Sequence, residues 1–397
     1  MASMIELHTL RTLGVSSLNR GENGEVKTCI FGDILRSRIS SQAIKAAIRK
    51  EFGETFRTRV LIDKYLIPKC QKEYPEQVEE FEALAKSLLS LKKGSTETGQ
   101  IMVYTKGEAE EIYRFILQLN EKEKEEILGS NKEKLKEFRD AFTKSVQMAD
   151  LSLEVAIFGR MSTDGPVYTI PSAVHFNHPI SIDQHHGEED FFTAFDNLKE
   201  ESGLLSASEF TSATMYSYMN IDPVQVYENL MLPVKRRNLS AEEYEKVSKQ
   251  NTDMAIYGVA KVAELMLQVM PSGKQNSMAT YPLPSIIYAT IDDGTYPCTL
   301  ESCFSRIIRC YNDKSVVSTG AERMMNYAVK TADTRKYRAF FIDSNLQEEL
   351  SETILQEVKE EGILCGGIRQ RTDLFEEIRS QAAEMIEDSK KKIKVLR

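Results

Sequence analysis

Residues 30–50 read IFGDILRSRISSQAIKAAIRK. A short apolar strand end, Ile30 and Phe31, runs into Gly32, which can take positive φ. Arg36 and Arg38 alternate in the next segment, and a double serine then opens a helix. Ser40 or Ser41 is a good N-cap, because a hydroxyl oxygen there accepts from the open N–H groups of the first turn. Ile44, Ala47, Ile48 and Phe52 recur at three- and four-residue steps and make an inward stripe. Gln42, Lys45 and Arg49 line another edge of the same helix. Serine hydroxyls, open amides, the positive end of the helix dipole and a row of cations therefore meet in one place, which suits phosphate. Taken in isolation, the same letters also describe a capped amphipathic helix with a solvated basic face.

Contrast with the rest of the chain favours the phosphate reading. The 397 residues carry a net charge of −9, yet from Arg20 to Lys50 seven Lys/Arg face only Glu22, Glu25 and Asp33. A local cationic patch on an acidic protein indicates a defined polyanion contact rather than general stickiness. An apolar content of 41 % is enough for a full core, and the length fits one large domain with insertions or two to three ordinary ones. No run approaches the roughly eighteen apolar residues of a membrane span, and MASMIELHTL lacks a signal pattern. A soluble, cytoplasmic protein without membrane association is expected. Six cysteines, at 29, 70, 298, 303, 310 and 365, include no CxxC pair and no zinc spacing, so they read as buried or half-buried thiols.

Working outward, residues 4–10 alternate as a first strand with Ile5, Leu7 and Thr9 on one face. Residues 14–24 form a loop exposing Arg20, and 26–31 return as a strand. Residues 55–150 are helical in pattern and rich in Glu and Lys, as expected of a helical insertion into a sheet domain. Lys132, Lys134, Lys136, Arg139 and Lys144 are its most basic part. Residues 151–158 (LSLEVAIF) read as a buried strand, 174–182 as extended, and 209–219 as a strand rich in Thr and Tyr. Residues 241–270 form a long helix, and 285–291 a last strand before terminal helices. Between two strands, residues 183–208 make an acidic excursion carrying Phe191, Phe192, Thr193 and Phe195. It is either a hairpin docked on the core or a projecting wedge, docking being the default for a soluble monomer. The whole predicts an α+β fold of the ferredoxin-like kind around an inserted helical block.

Other motifs fall away on spacing. Gly273-Lys274-Gln275 lacks the upstream glycine of a phosphate-binding P-loop. His175, His178, His185 and His186, with Asp183 and Glu188, mix strand and loop without a shared face, so no metal is assigned. His8 and His175 could both sit on the sheet, and satisfied structural histidines are the plainer reading.

Several segments carry a resemblance when taken in order: LNR (18–20), Lys27, IFG (30–32), RISSQAIKAAIRK (38–50), FGRM (158–161), FFTAFDNL (191–198), EFTSATMYSYMNID (209–222) and PSGKQNS (271–277). Together they resemble the backbone subunit of the type I-E CRISPR surveillance complex Cascade, the CasC family, over roughly residues 4–290. The resemblance implies an RRM-like palm (1–54, 151–182 and 209–397), a helical fingers insertion (55–150) and a projecting thumb (183–208). It implies copies of the chain stacked along one CRISPR RNA beside other Cascade subunits, displaying the guide to target DNA, with no cofactor and no catalytic role. By position, Arg20, Lys27, Arg38, Ser40, Gln42, Lys45, Arg49 and Arg160 would grip the guide and Met161 would pack on bases. Phe192 and Thr193 would wedge between bases, while Lys134, Lys136, Arg139 and Lys144 would face DNA.

The chemistry agrees with that picture. A holder blind to guide sequence contacts phosphate and ribose rather than base edges. An apolar wedge costs a few kcal/mol of stacking per step, which repeated backbone contacts can offset. With this use for the phenylalanines, a projecting thumb becomes the preferred reading. The rival from another class is an RRM-like, metal-independent endoribonuclease that processes CRISPR RNA with His8 or His175 as general base. A third is a helical scaffold binding only protein.

Overall fold

The structure, a computed structural model, describes residues 4–91, 95–129, 131–162, 165–196, 198, 201–292, 296–310, 314–331 and 335–395, except the side chains of 194–196, 201–205, 369 and 393–395. The chain is α+β and divides into two units: Met1–Glu51, Val174–Val224 and Val259–Arg397 in one, Phe52–Ala173 and Gln225–Gly258 in the other. Residues 151–173 and 225–258, expected with the sheet, thus group with the helical insertion.

The first unit is built on one sheet. Its strands lie in the order Leu364–Gly367, Tyr337–Ile342, Ile286–Asp292, Met4–Ser16, Glu201–Ile221 and Val174–Phe176. All neighbours are antiparallel except the first pair. Met4–Ser16 sits between two partners and is buried on both faces along most of its length. It runs six residues past the expected 4–10, because Glu201–Ile221 continues beside it to Ser16. Two strands, Tyr337–Ile342 and Leu364–Gly367, occur where only helices were expected.

One sheet face carries Leu10, Tyr216, Tyr288 and Phe340, covered by Met324, Met325, Ile354 and Val358. Burying such side chains contributes about 1.5–3 kcal/mol each, so this layer holds the unit together. Thr28–Phe31 and Ile34–Ser37 pair as a hairpin that forms a separate two-stranded sheet. Its two-residue turn, Gly32 and Asp33, has φ +60° and +62°, the positive pair a tight twisted hairpin requires. A Cβ on Gly32 would stand 1.8 Å from the Ser305 carbonyl oxygen, so this position also needs glycine for space.

Arg36 locks that hairpin to its surroundings. Its guanidinium is fully buried. It donates to Ser181 O at 3.0 Å, Phe304 O at 3.0 Å, Phe31 O at 3.3 Å, and Asp183 O and Ser305 O at 3.4 Å. Arg38, two residues on, escapes this cover and stays partly exposed.

The second unit packs the helices Val78–Leu88, Lys106–Leu117 and Lys132–Gln147 around Leu84, Ile112, Phe142 and Val146. Residues 151–158 are not a strand. Ser152 caps a short helix, Leu153–Phe158, its hydroxyl accepting from the Val155 amide at 3.3 Å. Every residue of that helix is buried, so no polar spacing betrays its period, and only the cap separates helix from strand.

Arg36→Ala is expected to lower the unfolding free energy by about 3 kcal/mol in urea titration, because it orphans several buried carbonyls. Arg38→Ala should change it by about 1 kcal/mol or less.

Candidate nucleic-acid interface

Of the two serines, Ser40 is the N-cap of the helix Ser41–Lys50: its buried hydroxyl accepts from the Ala43 amide at 3.3 Å. The hydroxyl proposed for RNA is therefore committed to the helix start, which it holds in shape. The loop before the hairpin is tied to the same point. Asn19 accepts the Ser40 amide through Oδ1 at 2.8 Å and the Lys27 amide through its carbonyl at 3.0 Å. Lys27 O in turn accepts the Arg38 amide at 2.8 Å. The segments of Arg20, Lys27 and Arg38 are thus tied to the helix N-terminus through two backbone hydrogen bonds and one to the Asn19 side chain.

Along the helix, Gln42 is exposed, while Lys45 and Arg49 are half-buried. The Lys45 ammonium lies over the Phe176 ring, 5.9 Å from its centroid. Burial, and then the neighbouring Arg49, hold it below the ordinary lysine value. Inward, Ile48 is buried and Ile44 packs on Leu13, Leu18 and Met215. Phe52 lies beyond the helix end at Lys50.

The histidines separate by environment. His8 is buried among Tyr216, Tyr218 and Tyr288, with Nδ1 2.9 Å from the Tyr216 hydroxyl. Burial, with Arg335, pushes its pKa down to about 3, so it stays neutral and out of reach of RNA. His175 is exposed, its Nδ1 2.9 Å from Asn220 Oδ1. His185 sits between Ser37 Oγ at 2.8 Å and Glu209 Oε1 at 3.4 Å. His178 reaches the helix N-terminus, where its Nδ1 meets Arg38 Nη1 at 3.0 Å.

The thumb is a hairpin. Glu188–Asp196 pairs antiparallel with the start of Glu201–Ile221, Phe192 opposite Ser206 and Thr193 opposite Leu205. Phe191 is 66 % exposed and Phe192 43 %, and Thr193 is exposed, so neither described phenylalanine is sealed in the core. The Phe195 side chain lies outside the described residues. Lys274 places its ammonium 5.6 Å from the Phe192 ring centroid. Its own φ is +52°, and buried Gln275 braces it by accepting the Thr280 amide at 2.8 Å and donating to Thr280 O at 2.7 Å. A Cβ on Gly273 would meet Leu18 O at 2.3 Å, so this loop lies directly on the 17–18 backbone. Arg20, Phe192 and Lys274 line one groove, with Glu25 and Glu189 in its walls.

In the second unit the expectation for Arg160 is corrected. Its guanidinium is buried and bound to both carboxylate oxygens of Glu108, at 2.5 and 2.6 Å, to Tyr168 O at 2.9 Å and to Val103 O at 3.1 Å. A buried pair so fully hydrogen-bonded is structural. Its partner lies 52 residues upstream, in the capping box of the helix Lys106–Leu117, a pairing that no local spacing reveals. Met161 beside it is 79 % exposed. On Lys132–Gln147, Lys134, Lys136 and Lys144 are exposed. Arg139 instead donates to Ser87 O at 2.8 Å and 2.6 Å.

His178, Lys274 and Asn19 are the members of this surface that sequence reasoning missed. Asn19 and Lys274 lie inside segments quoted for the resemblance, whereas nothing in the spacing distinguishes His178.

The model of the CT1975-like protein family matches residues 5–363. A search among curated proteins returns no match. Among solved structures, the chain is similar to one described as "CRISPR RNA-guided surveillance complex, pre-nicking". That match has 21 % identity and a TM-score of 0.69, covering 90 % of this chain and 99 % of the other. A second, "CRISPR RNA-guided surveillance complex", is 18 % identical with a TM-score of 0.51, covering 90 % and 98 %. At these identities the likeness is one of fold.

Phe192→Ala is expected to leave the melting temperature within about 2 °C of the parent, as for other exposed side chains. A drop of about 8 °C or more in differential scanning calorimetry would identify a core residue.

Proposed function

We propose that this chain, which belongs to the CT1975-like protein family, is a non-catalytic, RNA-binding backbone subunit of a type I-E CRISPR surveillance complex. In this reading the first unit is the RRM-like palm. Copies of the chain stack along the guide RNA in the cytoplasm, with other subunits, and present it to target DNA. The observation that carries it is the gathering of Arg20, Lys27 and Arg38 near one capped helix N-terminus, with Lys45 and Arg49 farther along the same helix, on a chain of net charge −9. These are point charges, forks and amides, which hold phosphates without reading bases.

The exposed faces of Phe191 and Phe192 support a wedge role beside that surface. The similarity of fold to surveillance-complex chains points the same way. The exposed lysines of Lys132–Gln147 suit a separate, weaker DNA contact. Burial of His8 at a pKa of about 3 speaks against its use as a general base. For the endoribonuclease reading that leaves His175, oriented through Asn220.

Lys45→Ala combined with Arg49→Ala is expected to weaken binding to RNAs of unrelated sequence alike. The slope of log K against log salt should flatten by about 1.4, from two lost phosphate contacts on single strands. A loss confined to one sequence in fluorescence anisotropy would contradict the reading. Incubation with CRISPR repeat RNA should give protection without cleavage, whereas cleavage abolished by His175→Ala would establish the rival.

A further inference from the structure

Two donors at the start of the helix Ser41–Lys50 share one acceptor. The ring of His178 turns its Nδ1 toward Arg38 Nη1 at 3.0 Å and the Ser41 amide at 3.4 Å. Both partners can only donate, so Nδ1 carries the lone pair and Nε2 the proton. The imidazole is therefore neutral here. Burial, then Arg38 and Lys27, holds His178 below the ordinary histidine value, with Glu301 opposing them.

A lone pair between a guanidinium and a first-turn amide stands where an anionic oxygen would satisfy the same two donors. His178 is exposed and lies between the short strands Val174–Phe176 and Ile180–Ser181. It can swing aside without disturbing the core. Arg38 keeps its aim without it, because Nε also donates to Thr28 O at 3.3 Å.

We infer that His178 is a displaceable placeholder for a backbone phosphate: it occupies Arg38 and the Ser41 amide while no RNA is bound, and yields them, gaining a proton, when a phosphate arrives. The inference rests on the guide-binding reading of this surface. Three charged groups face the ring: the cations Arg38 and Lys27, and Glu301, which Asn177 Nδ2 holds at 2.7 Å. An incoming phosphate neutralises the two cations as seen by the imidazole and adds negative charge beside it. Both changes favour imidazolium, as the charge of Glu301 already does. Binding is then linked to proton uptake. Affinity rises as pH falls through the bound-state value of His178, and the gain levels off below its free-state value.

The test measures anisotropy of a mixed-sequence RNA oligonucleotide at constant ionic strength between about pH 8 and pH 5.5, the window in which histidine titrates. The parent chain and His178→Ala are compared. The parent is expected to gain at least about threefold more affinity across that window than the variant, and the variant to bind at pH 8 as tightly as the parent or more so. Parallel pH profiles would overturn the inference. So would a variant weaker by the same factor at every pH, which would make the ring an ordinary RNA ligand. Titration of the His178 ring by NMR in the parent chain, with and without RNA, needs no variant to fold: the midpoint must rise on binding, and an unmoved midpoint rejects the placeholder. A parent that binds no RNA at any pH removes the guide-binding reading itself, and this inference with it.

Discussion

The buried guanidinium of Arg36 constrains the arrangement of the first unit. Removing an arginine from water is tolerable only if nearly all its donors find acceptors. Arg36 finds them in backbone carbonyls from three separate segments: its own hairpin, residues 181–183 and residues 304–305. Those segments must converge for the charge to be buried at all. Once they do, the hairpin stands at a fixed angle to the sheet, and the chain leaving it at Ser37 delivers Arg38 and the capped helix to the surface. The cationic surface is thus a by-product of satisfying a charge that is itself sealed from solvent.

The thumb follows from the same convergence, since residues 181–183 lead into it. Its aromatic side meets Lys274, which stands in a left-handed conformation in a loop lying on the 17–18 backbone and places its ammonium 5.6 Å from the Phe192 ring centroid. The loop carrying Arg20 and the loop carrying Lys274 are therefore braced against each other, and the groove they share with Phe192 has firm walls on two sides.

Much of this was legible in the letters. The serine cap, the inward Ile48, the strands of residues 4–10 and 285–291 and the aromatic excursion all rest on local periodicity and turn chemistry, and these survive folding. What escaped depends on distant partners. Arg36 and Arg38 look alike in sequence, and only the cover from residues 181–183 and 304–305 separates a structural arginine from a surface one. Arg160 reads as a loop cation until Glu108, far upstream, takes it. In residues 151–158 every helical position is buried, Glu154 included, so neither period shows and the capping Ser152 outweighs the β-branched letters. His178 carries no local signal, because its meaning lies in the donors that a separate helix brings to it.

The turn at Gly32 and Asp33 is solvent-exposed and connects two short strands, the kind of place a protein engineer would choose for a tag or a fluorophore. Here that choice would fail. With the Ser305 carbonyl oxygen 1.8 Å from where the first side-chain carbon would sit, any graft at Gly32 presses on the same backbone that accepts the buried guanidinium. A label placed there would report on a fold it had already pried open.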